Sequence, residues 1–270
     1  MRAARWLPAG LLVDTGAGVE IFDALGDAPP FRLSNAGLVD ALQPTTTTLI
    51  VATDDGLLQQ WDVEDNSPLL TLALAPDGRV RYLESSGDGK SLLAVTTLAF
   101  SDTVTLWDLS NGQPIWSWSL PATTLNAPSA SLSPDQRYVA IVQDGLLSIY
   151  EPLAAGATEP IWTDNTSNSI GVVWNRDGSK MLTWGNSSAQ LWRWEPATRR
   201  ATPLLSVPHY SYATGPVLNA DETQLLTENA DQTMRIWRVW PDLEGLITTA
   251  EGCCITRELS DEQRKEFVID

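Results

Sequence analysis

Three observations predict an all-β fold of six repeated four-stranded units. An aromatic followed by an acid or its replacement recurs at Phe22-Asp23, Trp61-Asp62, Trp107-Asp108, Tyr150-Glu151, Trp192-Arg193 and Trp237-Arg238. The intervals are roughly 39–46 residues, the period of a propeller blade. A second marker keeps step: the turns SGDG at 86–89, SPDQ at 133–136, NRDG at 175–178 and NADE at 219–222 use residues whose backbones and short polar side chains favour turns. Between the markers run short strand-like segments, joined by loops brief enough to force antiparallel pairing. The expectation is a β-propeller of about six blades over residues 1–240, with its last blade incomplete and a short helical tail over 241–270.

The units read in order as strands a to d. The first offers AARW, LLVDTG, GVEIFD and PFRLS; the second LVDAL, TTTLIVATDDG, LLQQWDV and SPLLTLAL. The third has RVRYLES, KSLLAVTTL, TVTLWDL and PIWSWSL, and the fourth APSASLSPDQ, RYVAIVQDG, LLSIYEP and EPIWTD. SIGVVWNRDG, KMLTWGN, AQLWRWEP and TPLLSVP form the fifth. The sixth has ATGPVLNADE, TQLLTENADQ and TMRIWRVW, and then Pro241-Asp242 stops the strand pattern. Leu243, Leu246, Ile247, Ala250 and Cys254 follow at helical spacing. Ser260 with Gln263 makes a capping-box pattern for a second short helix. The tail's apolar stripe either packs on the propeller or meets a partner.

The composition is that of an ordinary globular chain, with 43% hydrophobic and 19% charged residues. Twelve tryptophans recurring at repeat positions are expected to pack between blades. A formal net charge of −17 repels phosphate backbones and anionic lipid surfaces, so neither nucleic acid nor membrane is an expected partner. Cys253 and Cys254 are adjacent and build no disulfide framework, which fits a reducing compartment. No signal peptide or membrane-spanning helix is recognisable in MRAARWLPAGLLVD. The expected location is the cytoplasm.

The units ending GVEIFD, LLQQWDV, TVTLWDL, AQLWRWEP and TMRIWRVW resemble WD40-repeat propellers over about residues 2–240. The resemblance implies that Phe22, Trp61, Trp107, Tyr150, Trp192 and Trp237 anchor the third strands, with Asp62 and Asp108 completing the Trp-Asp pairs. It also implies a hydrogen-bonded tetrad, which only the sixth unit matches well: His209, Thr227, Asp231 and Trp237. His209, the single histidine, is thereby assigned to structure rather than chemistry. The family's Gly-His dipeptide is absent, and most units lack the strict Trp-Asp pair. Members of the family usually close the ring with a strand donated by one terminus. Here the first strand begins near Arg2, so an unpaired strand edge is expected, with self-association through it. The tail CCITRELSDEQRKEF resembles the end of large bacterial WD-repeat proteins, so the chain is expected to be either the C-terminal part of a longer propeller protein or an open six-bladed ring capped by the tail.

A non-catalytic protein-binding scaffold is the function this resemblance implies, as the binding part of a larger protein. Tyr210 and Tyr212, in VPHYSYATG, either present a binding surface or pack between blades. An enzyme is the alternative. One His and two adjacent Cys leave only carboxylates for a metal, so no metal or other cofactor is expected. No Gly-x-Ser-x-Gly elbow is present. TDDGLLQQW at 53–61 begins like a sialidase Asp box, but its Trp comes too late. Paired acids for glycoside chemistry remain an alternative. DLSNGQPIW, from Asp108 to Trp116, and the looser EPLAAGATEPIW resemble the docking repeat of quinoprotein propellers, whose non-enzymatic members are scaffolds too.

Overall fold

Leucine-rich and β-branched runs alternate with Gly-, Asn- and Asp-bearing turns along this chain, and each run becomes a strand. The computed structural model describes residues 3–7, 10–14, 19–22, 31–34, 38–45, 47–53, 56–65, 67–74, 78–99, 101–121, 127–154, 158–166, 169–209, 215–228, 233–240, 245, 247, 248 and 252. The strands form six antiparallel sheets, the blades of a propeller.

Blade 1 holds β1 (Ala3–Leu7), β2 (Gly10–Asp14), β3 (Val19–Phe22) and β4 (Phe31–Ser34). Blade 2 holds β5 (Leu38–Leu42), β6 (Thr48–Thr53), β7 (Leu57–Asp62) and β8 (Ser67–Ala73). Next come β9 (Arg79–Ser85), β10 (Ser91–Leu98), β11 (Ser101–Asp108) and β12 (Gln113–Pro121) in blade 3. In blade 4 they are β13 (Ser129–Leu132), β14 (Val139–Gln143), β15 (Leu146–Tyr150) and β16 (Trp162–Asn165). Blade 5 has β17 (Ser169–Trp174), β18 (Lys180–Gly185), β19 (Ser188–Glu195) and β20 (Arg200–Pro208). Blade 6 stops at three described strands: β21 (Val217–Leu218), β22 (Gln224–Glu228) and β23 (Met234–Arg238).

The core lies between blades rather than inside any one of them. Among the described residues, four apolar clusters each draw on two neighbouring sheets. Val139 and Ile141 of β14 face blade 3, whereas Ala140 and Val142 face blade 5. A strand covered on both faces has no polar side to alternate with, which is why VAIV and LLAV read as continuous apolar runs. Tryptophans fill these seams as expected. Trp174, Trp192 and Trp194 are buried between blades 4 and 5, with Trp162 edge-on to Trp192 at 5.9 Å. Tyr150 meets Trp116 and Trp118 at 5.4 and 5.2 Å between blades 3 and 4.

The third and fourth strands slip register immediately before the anchoring tryptophan in blades 2, 3 and 5, between Gln60 and Trp61, Leu106 and Trp107, and Leu191 and Trp192. Such a bulge bends the outer strand and re-aims the side chain beside it. Glycine has a packing reason at Gly171, where an added Cβ would lie 2.2 Å from the Trp184 indole. The helical tail lies largely outside the described residues; of those described there, Gly245, Ile247, Thr248 and Gly252 have α-helical backbone.

Candidate functional site

The second sequence marker becomes a repeated hydrogen-bonded box at one rim of the blade stack. The first side chain of each turn accepts the amide five residues on: Ser86 Oγ from Ser91 (2.9 Å), Ser133 Oγ from Tyr138 (2.9 Å), Asn175 Oδ1 from Lys180 (2.8 Å) and Asn219 Oδ1 from Gln224 (2.8 Å). The aspartate between them accepts the amide two residues on, at 3.1 Å for Asp88, Asp135 and Asp221 and 2.8 Å for Asp177. Hydroxyl donors beside three of these acids, Ser86, Ser179 and Thr223, hold Asp88, Asp177 and Asp221 below the usual carboxylate range.

The fourth residue of each box is left-handed: Gly89, Gln136, Gly178 and Glu222. Glycine takes that backbone without strain. Where a side chain stands instead, it reaches back to the preceding blade. Gln136 Oε1 accepts from Ser91 Oγ at 2.7 Å. Glu222 accepts from Asn175 Nδ2 at 2.7 Å and pairs with Lys180 at 2.6 Å. The acid after the anchor serves the same rim in blades 2, 3 and 4. Asp62 accepts the amides of Glu64 and Asp65, and Asp108 accepts from Ser110 and Asn111. Glu151 instead bridges Arg137 and Arg199, at 3.5 and 2.9 Å. The stretch from Asp108 to Trp116 is therefore an ordinary outer hairpin with its polar atoms committed to the turn.

The tetrad proposed for the sixth unit is partly described. Trp237 donates to Thr227 Oγ1 at 2.8 Å, and Thr227 and His209 are both buried. Asp231 lies outside the described residues, as do Tyr210 and Tyr212 and the side chain of Phe22. Blade 5 repeats the indole–hydroxyl pair, with Trp192 donating to Thr183 Oγ1 at 2.9 Å. That pair was legible in the sequence as a threonine on the second strand, placed as Thr227 is relative to its tryptophan. Trp61 and Trp107 are half-buried at the ends of their strands.

A second polar feature lies on the inner strands and was not anticipated from sequence. Glu84 of β9 accepts the Leu132 amide at 3.0 Å and Ser131 Oγ at 3.3 Å, both from β13. Ser131 Oγ in turn accepts the Trp174 amide of β17 at 3.1 Å, and Ser129 Oγ the Val172 amide at 3.2 Å. Side chains thus stitch three inner strands together where no ladder joins them. Loss of hydration pushes the Glu84 carboxyl up to about 7, against the pull of its donors. Desolvation raises the phenol of Tyr82, and the neighbouring Glu84 carboxylate raises it further. An acid within RVRYLES was the available signal.

Between blades 5 and 6 the inner strands part to leave a cleft of about 410 Å³. Val173, Leu182, Pro216, Val217 and Leu218 give it apolar walls, with Arg176, Asn175 and Glu222 at its polar end. Arg176 is exposed and forms no ion pair among the described residues. Among those residues, no three or more His, Cys, Asp or Glu side chains are grouped to hold a metal ion, and no helix is long and apolar enough to cross a membrane.

No protein-family model matches the sequence, and no curated protein matches it. Among solved structures, a chain of the crystal structure of the mitotic checkpoint complex is similar, with a TM-score of 0.50 and 15% identity. The similarity covers 89% of this chain and 87% of that one. With 1510 solved chains matching, such similarity speaks to the fold and not to a task.

Proposed function

We propose that this WD40-like propeller is a non-catalytic protein-interaction scaffold that receives an apolar side chain of its partner in the cleft between blades 5 and 6. The cleft carries the reading: an apolar volume of about 410 Å³ with one exposed, uncommitted guanidinium at its mouth has the form of a pocket for a hydrophobic anchor. The surrounding polar groups are already used in the turn boxes and inter-blade bonds. That commitment supports a rigid platform better than a reaction centre, where perturbed groups must face substrate. Tyr210 and Tyr212 keep their proposed binding role, since their loop leads in sequence into Gly215 and the cleft residue Pro216. Placement in the cytoplasm belongs to the same proposal.

The test is site-specific photo-crosslinking in cells, with the photoreactive side chain at Arg176 and a control at exposed Asp164 of blade 4. A protein adduct specific to Arg176, lost when Ala220→Trp fills the cleft, is the expected result. Adducts equal at both positions, or unaffected by Ala220→Trp, would reject the cleft as the binding site.

A further inference from the structure

We propose that the cleft between blades 5 and 6 receives an acidic segment of a partner protein, in which the apolar anchor is flanked by a carboxylate that pairs with Arg176. This rests on the reading of the cleft as an anchor pocket and adds the chemistry of what enters it. Strand register lays the cleft out along β17 and β18. Gly171 pairs with Trp184 and Val173 with Leu182, and the Asn175 amide donates to the Lys180 carbonyl at 3.0 Å. Alternate residues of a strand share a face, so one face runs from Trp184 through Val173 and Leu182 to Asn175 and Lys180. The indole stops the first end: an added Cβ would lie 2.2 Å from it at Gly171 and 2.8 Å from it at Gly215. The other end is polar, and Arg176 is exposed there. An anchor entering from that end leaves its own backbone and flanking residues beside Arg176.

Charge selects the flanking residue, because the other charged groups at that end are committed. Lys180 and Glu222 pair at 2.6 Å, and Glu222 also accepts from Asn175 Nδ2 at 2.7 Å. Asp177 accepts the Ser179 amide at 2.8 Å and Asn175 Nδ2 at 2.7 Å. Asp221 accepts the Thr223 amide and hydroxyl at 3.1 and 2.6 Å. Arg176 has no ion pair among the described residues. A partner covering the mouth strips water from the guanidinium, which is costly unless an opposite charge takes the water's place. A carboxylate does so through two parallel hydrogen bonds, a geometry the planar guanidinium matches. The net charge of −17 repels an acidic segment at long range. The preference is therefore local, and it is expressed in how slowly the complex separates rather than in how fast it forms.

Two peptides test it on the full 270-residue chain: acetyl-Glu-Phe-Asp-amide and its neutral counterpart acetyl-Gln-Phe-Asn-amide, which flank the same anchor on both sides with acids or with amides. Binding is read from the NMR shifts of the Val173 and Leu182 methyl groups. The acidic peptide should bind about fivefold tighter. Arg176→Gln should remove that preference and leave the affinity for the neutral peptide unchanged. Equal affinities for the two peptides, or a preference that survives Arg176→Gln, would overturn the acidic segment and leave the anchor pocket standing. If neither peptide moves those methyl signals at about 10 mM, the pocket itself fails and the proposal fails with it.

Discussion

Blades 5 and 6 are built from the same parts and end in different environments. Each opens with an Asn–Asp turn box, at Asn175–Asp177 and Asn219–Asp221. Each anchors its third strand through an indole donating to a threonine, Trp192 to Thr183 and Trp237 to Thr227. Yet β19 is covered by β20 on its edge and by blade 6 on its face, whereas β23 has neither cover among the described residues. Local chemistry therefore specifies the blade, and neighbours decide whether its apolar side chains contribute to stability. A propeller strand is stabilised chiefly by what packs on it.

The sharpest test of that difference is a matched pair of truncations. Leu191→Ala removes a fully buried side chain from the seam between blades 5 and 6 and should cost about 3 kcal/mol in denaturant unfolding. Ile236→Ala, at the equivalent position, should cost about 0.5 kcal/mol or less in dilute monomer. Equal costs would mean that the two blades are equally covered, and the comparison would fail.

A smaller effect separates the stitched inner strands of blades 3 to 5 from the last blade. Glu84, with its carboxyl raised to about 7, is protonated in both folded and unfolded states below its ordinary value. As pH rises, the unfolded chain ionises first, so this group's contribution to stability falls and is fully lost above about pH 7. Glu84→Gln keeps an acceptor for the Leu132 amide without the buried charge. It should stabilise the protein on the order of 2 kcal/mol at pH 8 and change little at pH 4. A thermal midpoint equally shifted at both pH values would show that the carboxyl does not titrate in this window.

The smallest effect asks whether the indole–hydroxyl bonds are equivalent. Thr183→Val and Thr227→Val each leave an indole donor unpaired and should cost about 1 kcal/mol. Thr183→Val is expected to cost more, because Trp192 is buried and Trp237 only partly so. Water can replace the lost acceptor more readily at Trp237. Thermal unfolding of the two variants side by side distinguishes them, and a reversed order would contradict the difference in cover.

Much of this was legible in the residues alone. The recurring aromatics and the Ser/Asn–x–Asp turns reveal the repeat because each makes bonds within a few positions of itself. Pro241-Asp242 interrupt the strand pattern after TMRIWRVW, and among the described residues blade 6 holds three strands. The Glu84 stitch was not legible, because its donors Ser131 and Leu132 lie on another repeat. The cleft was missed for a related reason: its walls, Val173 and Leu182 against Pro216 and Leu218, look like any core positions of two neighbouring units.

The sequence by itself determined the strands, their turns and the order of the blades, since these depend on local backbone preference and short-range hydrogen bonds. Tertiary structure decided which of two identical-looking apolar positions is interior. Leu191 and Ile236 satisfy the same pattern, but Leu191 is fully buried against blade 6 while Ile236 is 66% exposed. It also decided the protonation of Glu84, because desolvation is imposed by neighbours distant in the chain and no local pattern encodes it.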